Sequence, residues 1–141
     1  MLPAVKWVLV FIFFTACSRE NPEFQNLSEK ISYLVEDDRY EEALAILDEE
    51  DREKPAVRRL LEKTHLNYGL YNMNTFNQDE MRTRMNEALR QFTEVLRINA
   101  DNEVAKNHIS QILRVYETIP DRQPEEDVIE RLREVGINIQ E

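Results

Sequence analysis

From residue 24 to residue 135 apolar side chains return every three or four positions, and no stretch alternates apolar with polar residues. A spacing near 3.6 builds amphipathic helices, whereas a spacing of two builds half-buried strands, so the pattern predicts an all-α chain. Phe24, Leu27, Ile31, Leu34 and Val35 share one face of a first helix that ends near Asp37 and Asp38. Asn21 followed by Pro22 is its expected start, an N-cap and then a proline already held at a helical φ. Tyr40, Ala43, Leu44 and Leu47 form the apolar face of a second helix over residues 40–50. Pro55 opens a third over 55–71, with Val57, Leu60, Leu61, Thr64 and Tyr68 inward and Gly69 near its end. The asparagine-rich stretch 72–77 predicts a loop, because short polar side chains compete for the backbone of their own turn. A fourth helix spans 78–98, a fifth 102–118 and a sixth 124–135, the last with Gly136 as its C-terminal cap.

Composition narrows what such helices can serve. With 42% hydrophobic and 33% charged residues, the chain of 141 is too apolar for general disorder and too charged for a bundle of membrane spans. A single cysteine rules out a disulfide-stapled core. Acidic residues number 28 against 18 basic ones, and the net charge of −10 repels a phosphate backbone, so no nucleic-acid partner is expected. Gly69 and Gly136 are the only glycines, which leaves no glycine-rich phosphate loop. His65 and His108 lack the spacing of a zinc motif, and no nucleophile, base and orienting group can be assembled. The expectation is a non-enzyme without metal, cofactor or evident small-molecule substrate. Nine acidic residues lie between Glu36 and Asp51 with Arg39 as the sole cation. They are read as a solvated face, the alternatives being a docking patch for a basic partner or a divalent-cation site.

The first residues carry a separate message. After Lys6, the run WVLVFIFF over residues 7–14 closes on Thr15, Ala16 and Cys17, the pattern of a signal peptide ending in small residues. The apolar stretch is half of the roughly 20 residues that a helix needs to cross the bilayer, so a permanent span is the weaker reading. A small residue directly before the only cysteine resembles the lipobox of bacterial lipoproteins, in which that cysteine takes a thioether-linked diacylglycerol and becomes the new N-terminus. The resemblance implies a leader over 1–16, a lipidated Cys17 with a short tether over 17–21, and a helical domain over 22–141. Each buried methylene of such an anchor contributes about 0.8 kcal/mol, and paired chains hold firmly where one does not. Ser18 follows the cysteine where an Asp would favour the inner membrane, so the resemblance points to the outer membrane, facing the periplasm.

Two segments of the body align: Tyr40-Glu-Glu-Ala43-Leu-Ala-Ile-Leu47 and Met85-Asn-Glu-Ala88-Leu-Arg-Gln-Phe92. Pro55 and Ala100 each stand twelve residues after the alanine. Ala-x3-Phe with a closing proline resembles the tetratricopeptide repeat (TPR), over residues 24–116. Ala43 and Ala88 are 45 residues apart, whereas tandem units recur about every 34, so the second unit carries an insertion around 68–81. The resemblance implies antiparallel helix hairpins stacked as a short right-handed superhelix of about six helices, closed by a C-terminal capping helix. It also implies a concave groove lined by the first helix of each pair, with the second helix facing outward. Gln25, Ser28 and Ser32, then Arg58, His65 and Tyr68, then Asn107, Gln111 and Arg114 fall on that groove. A polar lining with Tyr and Arg suits an extended peptide or a terminal carboxylate. The resulting expectation is an envelope adaptor that holds a protein partner near the membrane. The alternative is a TPR lipoprotein beside the substrate-binding protein of a solute-uptake system, which an apolar pore between the third and fifth helices would favour.

Overall fold

The computed structural model describes residues 23–75, 77–119 and 122–139. Among them are six α-helices and no strand: α1 (Leu27–Glu36), α2 (Tyr40–Asp48), α3 (Pro55–Asn74), α4 (Met81–Ile98), α5 (Glu103–Glu117) and α6 (Glu126–Glu134). The leader, Cys17 and the tether lie outside the described residues. No helix among the described residues is long and apolar enough to cross a membrane.

Helix α4 starts three residues later than expected, at Met81, and two further boundaries, the start of α1 and the end of α3, differ for local reasons. Helix α1 starts at Leu27, because Asn26 supplies the cap: its side chain accepts the Glu29 N–H at 2.9 Å while the Glu29 carboxylate accepts the Gln25 N–H at 2.8 Å. Two orphan donors are thereby satisfied within one turn. Helix α3 runs on to Asn74, through part of the stretch expected to be a loop. Asn72, Asn74 and Thr75 turn their side chains back to the carbonyls four residues earlier, at 3.0, 2.8 and 2.6 Å. Their competition for backbone partners is thus absorbed inside the helix. The C-terminal ends of α1 and α6 share one device. At α6, Ile137 and Gly136 donate to the carbonyls of Leu132 and Arg133, with Gly136 at φ +82°. At α1, Arg39 and Asp38 donate to Leu34 and Val35, and Asp38 takes the left-handed position at φ 58°.

The core forms two clusters along the stack. Ile31, Leu34, Ala43, Leu47, Val57 and Leu61 join α1, α2 and the start of α3. Leu89, Phe92, Val95, Ile109, Ile112, Val128 and Leu132 join α4, α5 and α6, with Leu66, Leu70 and Met73 of α3 packed against them. Helix α3 therefore belongs to both clusters and is the spine of the molecule. Its tightest crossing is with α4 at Gly69, where an added Cβ would lie 2.5 Å from the Phe92 ring. Ala43 and Ala88, the two alanines that align in sequence, are both fully buried. Helix α1 packs on α2 and α3, α2 on α3, and α4 on α3, α5 and α6. Close backbone packing of α3 with α5 is not part of this set, and α6 returns to α4.

That return is held by polar groups. The Arg90 guanidinium on α4 forms a two-point contact with Asp127 at 2.9 and 3.0 Å and also reaches Glu125. The hydrogen bonds to Asp127 hold its carboxyl below the usual range. Asn86, fully buried on α4, accepts the Glu125 N–H at 3.0 Å and so caps α6 from outside.

Candidate cleft between the second and fourth helices

The face of α3 that looks away from the α5 cluster carries Tyr68, Tyr71 and Asn72, spaced so that they share one side of a helix. Tyr40 begins α2 opposite them. Its ring stacks on Tyr68 with centroids 5.0 Å apart and lies tilted against Tyr71 at 5.3 Å. Such pairs contribute about 0.5–1.5 kcal/mol each beyond the area they bury. The hydroxyls are tied to carboxylates: Tyr68 donates to Glu41 at 3.0 Å and Tyr40 to Asp38 at 3.2 Å. Burial, reinforced by these hydrogen bonds, pushes both phenols up to about 12, so both remain neutral donors at physiological pH.

Arg84 of α4 reaches over this floor. Its guanidinium lies 5.7 Å from the centre of the Tyr71 ring, donates to Asn72 Oδ1 at 3.0 Å and faces Glu80 at 3.5 Å. Around these residues opens a cleft of about 720 Å³, walled by Glu41, Leu44, Ala45 and Asp48 of α2 and by Thr83, Arg84, Glu87 and Gln91 of α4. Tyr68 and Asn72 form its floor, and Asp79 and Glu80 stand at its mouth. A neighbouring recess of about 420 Å³ shares Glu41, Tyr68 and Arg84 with it and adds Asp38, Tyr40 and Tyr71. Five carboxylates against one guanidinium give the larger cleft a strongly negative lining. Asp48, Glu80 and Glu87 have arginine neighbours in Arg52, Arg84 and Arg90. Glu41 accepts only the Tyr68 hydroxyl, and Asp79 has no cation partner among the described residues.

The nine residues expected on a concave groove are distributed over several surfaces. Tyr68 lines the cleft, and His65, one turn earlier, shares a 2.7 Å hydrogen bond with Gln91 at its far wall. Burial lowers the His65 pKa, which keeps the imidazole neutral in the folded chain. Arg58 donates to the Ile98 carbonyl at 2.8 Å, at the end of α4. Gln25 and Ser28 are exposed at the start of α1 and Ser32 is half-buried. Asn107, Gln111 and Arg114 are exposed on α5. Helix α2, expected on the outer side, supplies one wall of this cleft.

Tyr40, Tyr71, Asp79 and Arg84 were not singled out by the sequence. A signal is present for one of them, Tyr71, since Tyr68, Tyr71 and Asn72 stand at i, i+3 and i+4, but the loop expected from residue 72 hides that face. Arg84 carries no mark in the sequence that separates it from Arg82. A third recess, of about 400 Å³, lies between the end of α5 and the chain after α6, with Tyr116, Arg122 and Asn138 in its wall. Among the described residues no group of three His, Cys, Asp or Glu side chains is placed to hold one metal ion. Compared with known proteins, the chain matches no family model, no curated protein and no solved structure.

Proposed function

We propose that the chain is a lipoprotein anchored in the membrane through Cys17 and facing the periplasm, most simply from the outer membrane, whose TPR-like helical body is a scaffold for a protein partner in the cell envelope. The observation that carries the reading is the open cleft between α2 and α4. It is made by rigid helices, its floor is fixed by tyrosine stacking and hydrogen bonds, and its size falls in the usual range of about 300–1,000 Å³ for ligand-holding sites. Support also comes from the sequence, in the apolar leader that ends at the only cysteine and in the two aligned segments whose alanines are fully buried. Small residues at such crossings are what stacked helix pairs require for close approach.

Two measurements test it. Radiolabelled palmitate should enter the wild-type chain in a bacterial host and not Cys17→Ser, which should leave the membrane fraction. A photo-crosslinking amino acid at Ala45, exposed in the cleft wall, or at Gln111, exposed on α5, should capture a protein partner in native membranes. A folded, membrane-bound chain that gives no protein adduct from either position would overturn the adaptor reading.

A further inference from the structure

The cleft already contains one guanidinium site, occupied by the chain's own Arg84. The face of Tyr71, the Asn72 amide oxygen and the Glu80 carboxylate surround that group, which is the aromatic and carboxylate combination that holds Arg well. Further along the cleft stand Glu41 and Asp79, which have no cation partner among the described residues, and Asp48, of which Arg52 takes one oxygen; the Glu87 oxygens are already turned to Arg90 and to the Gln91 amide. Leu44 and Ala45 break the polar wall with apolar surface, over which the methylene stem of a long basic side chain can lie. The carboxylates are spread along two helices and the turn between α3 and α4. No three of the described acidic groups converge on a point, so the charge suits several cationic groups along a chain and not one metal ion.

On these grounds we infer that the occupant of the cleft is an extended, Lys- and Arg-rich segment of a partner protein. The inference rests on the adaptor reading and sharpens it. The segment lies between α2 and α4 with its cationic groups set against Glu41 and Asp48 on the α2 wall and Asp79 at the mouth. Arg84 limits how far it can enter at the Tyr71 end. Electrostatic complementarity of this kind governs encounter and specificity, and it weakens as salt rises.

The test uses the full chain in mild detergent and a labelled twelve-residue peptide in which Arg and Lys alternate with Ser and Ala, at about 50 and 200 mM NaCl. Two triple variants remove the same charge from different places: Glu41→Gln with Asp48→Asn and Asp79→Asn in the cleft, and Glu53→Gln with Glu117→Gln and Glu130→Gln, all exposed outside its wall. The cleft triple should weaken peptide binding at least tenfold and the outer triple less than twofold, with unchanged helicity in both. Equal weakening by the two triples means that net charge alone attracts the peptide, and overturns the proposal. Binding of spermine or Ca²⁺ at the cleft without binding of the peptide overturns it in favour of a small cation. The adaptor reading is judged separately: a partner captured in native membranes equally well by wild type and cleft triple leaves the adaptor standing and removes the cleft as its contact.

Discussion

Gly69→Ala places two measurable effects in opposition at the spine of the fold. Gly69 lies inside α3, five residues from its end, where alanine is the better helix former by about 0.8–1.0 kcal/mol. An exposed helical glycine would therefore be improved by the change. At Gly69, however, the new Cβ would lie 2.5, 2.8 and 2.9 Å from three atoms of the Phe92 ring. Phe92 is fully buried among α4, α5 and α6 and stacks on the His108 ring at 5.4 Å, so relief by a rotamer change or by parting α3 and α4 disturbs packed neighbours. Overpacking of this kind costs about 1–3 kcal/mol, and three contacts under 3.0 Å on an immobile ring put this case at the top of that range. After the propensity gain is subtracted, the net loss is about 2 kcal/mol, a fall in Tm of roughly 6–10 °C for a domain of this size. Urea unfolding followed by circular dichroism at 222 nm measures it. Phe92→Leu supplies the control, since in its smaller space Gly69→Ala should cost little or become stabilising, a coupling of about 1–2 kcal/mol between the two sites. A Gly69→Ala protein as stable as wild type, with additive behaviour in the Phe92→Leu background, would refute the close crossing of α3 and α4.

Three further perturbations follow from the polar groups. Because burial lowers the His65 pKa below its ordinary 6.5, the folded chain binds fewer protons there than the unfolded chain; stability from this group is whole above about pH 6.5 and is lost as pH falls through the folded value. His65→Gln should lose less Tm than wild type between about pH 7.5 and 5.5, and equal losses would assign the acid sensitivity elsewhere. Arg90→Lys keeps the charge but not the two-point contact with Asp127, so amide exchange across residues 125–135 should speed up while α3 stays protected. Asp38→Val should cost about 1–2 kcal/mol, because a β-branched residue tolerates φ 58° poorly, whereas Asp38→Gly should cost less than half of that in the same unfolding assay.

What the sequence made legible was governed by local rules. Apolar spacing marks five of the six helices among the described residues, the fourth follows from the breaks on either side of it, and Gly136 marks the end of α6, because these signals act within a turn or two of backbone. The start of α1 lies beyond the expected Asn21 and Pro22, because Asn26 supplies the cap. The reciprocal hydrogen bonds of Gln25, Asn26 and Glu29 hold that start, and they depend on side-chain geometry that apolar spacing does not report. The end of α3 was misplaced for a tertiary reason. Asn72 is almost fully buried and its oxygen holds Arg84, a contact across twelve residues that repays helix continuation through a poor helix former.

The cleft was the least legible feature, because it depends on which sides of the helices pair. The periodicity of α3 taken alone predicts a single inward stripe of Val57, Leu60, Leu61, Thr64 and Tyr68. In the structure Val57 and Leu61 turn to the first cluster, Leu66, Leu70 and Met73 to the second, and Tyr68 and Tyr71 to α2. A helix buried on several sides has no unique inner face to extract from its sequence. Once Gly69 lets Phe92 seat against α3, α4 lies close along that helix, and Arg90 and Asn86 draw α6 onto its other side. The surface left between α2 and α4 is then open, with α3 as its floor. That surface inherits the acidic run of α2, whose Glu41 and Asp48 become one wall of the cleft instead of an outer face. The same substitution that loosens the crossing should therefore reach the cleft: Gly69→Ala, by parting α3 from α4, should weaken the basic peptide as well as the fold, and Phe92→Leu should restore both together.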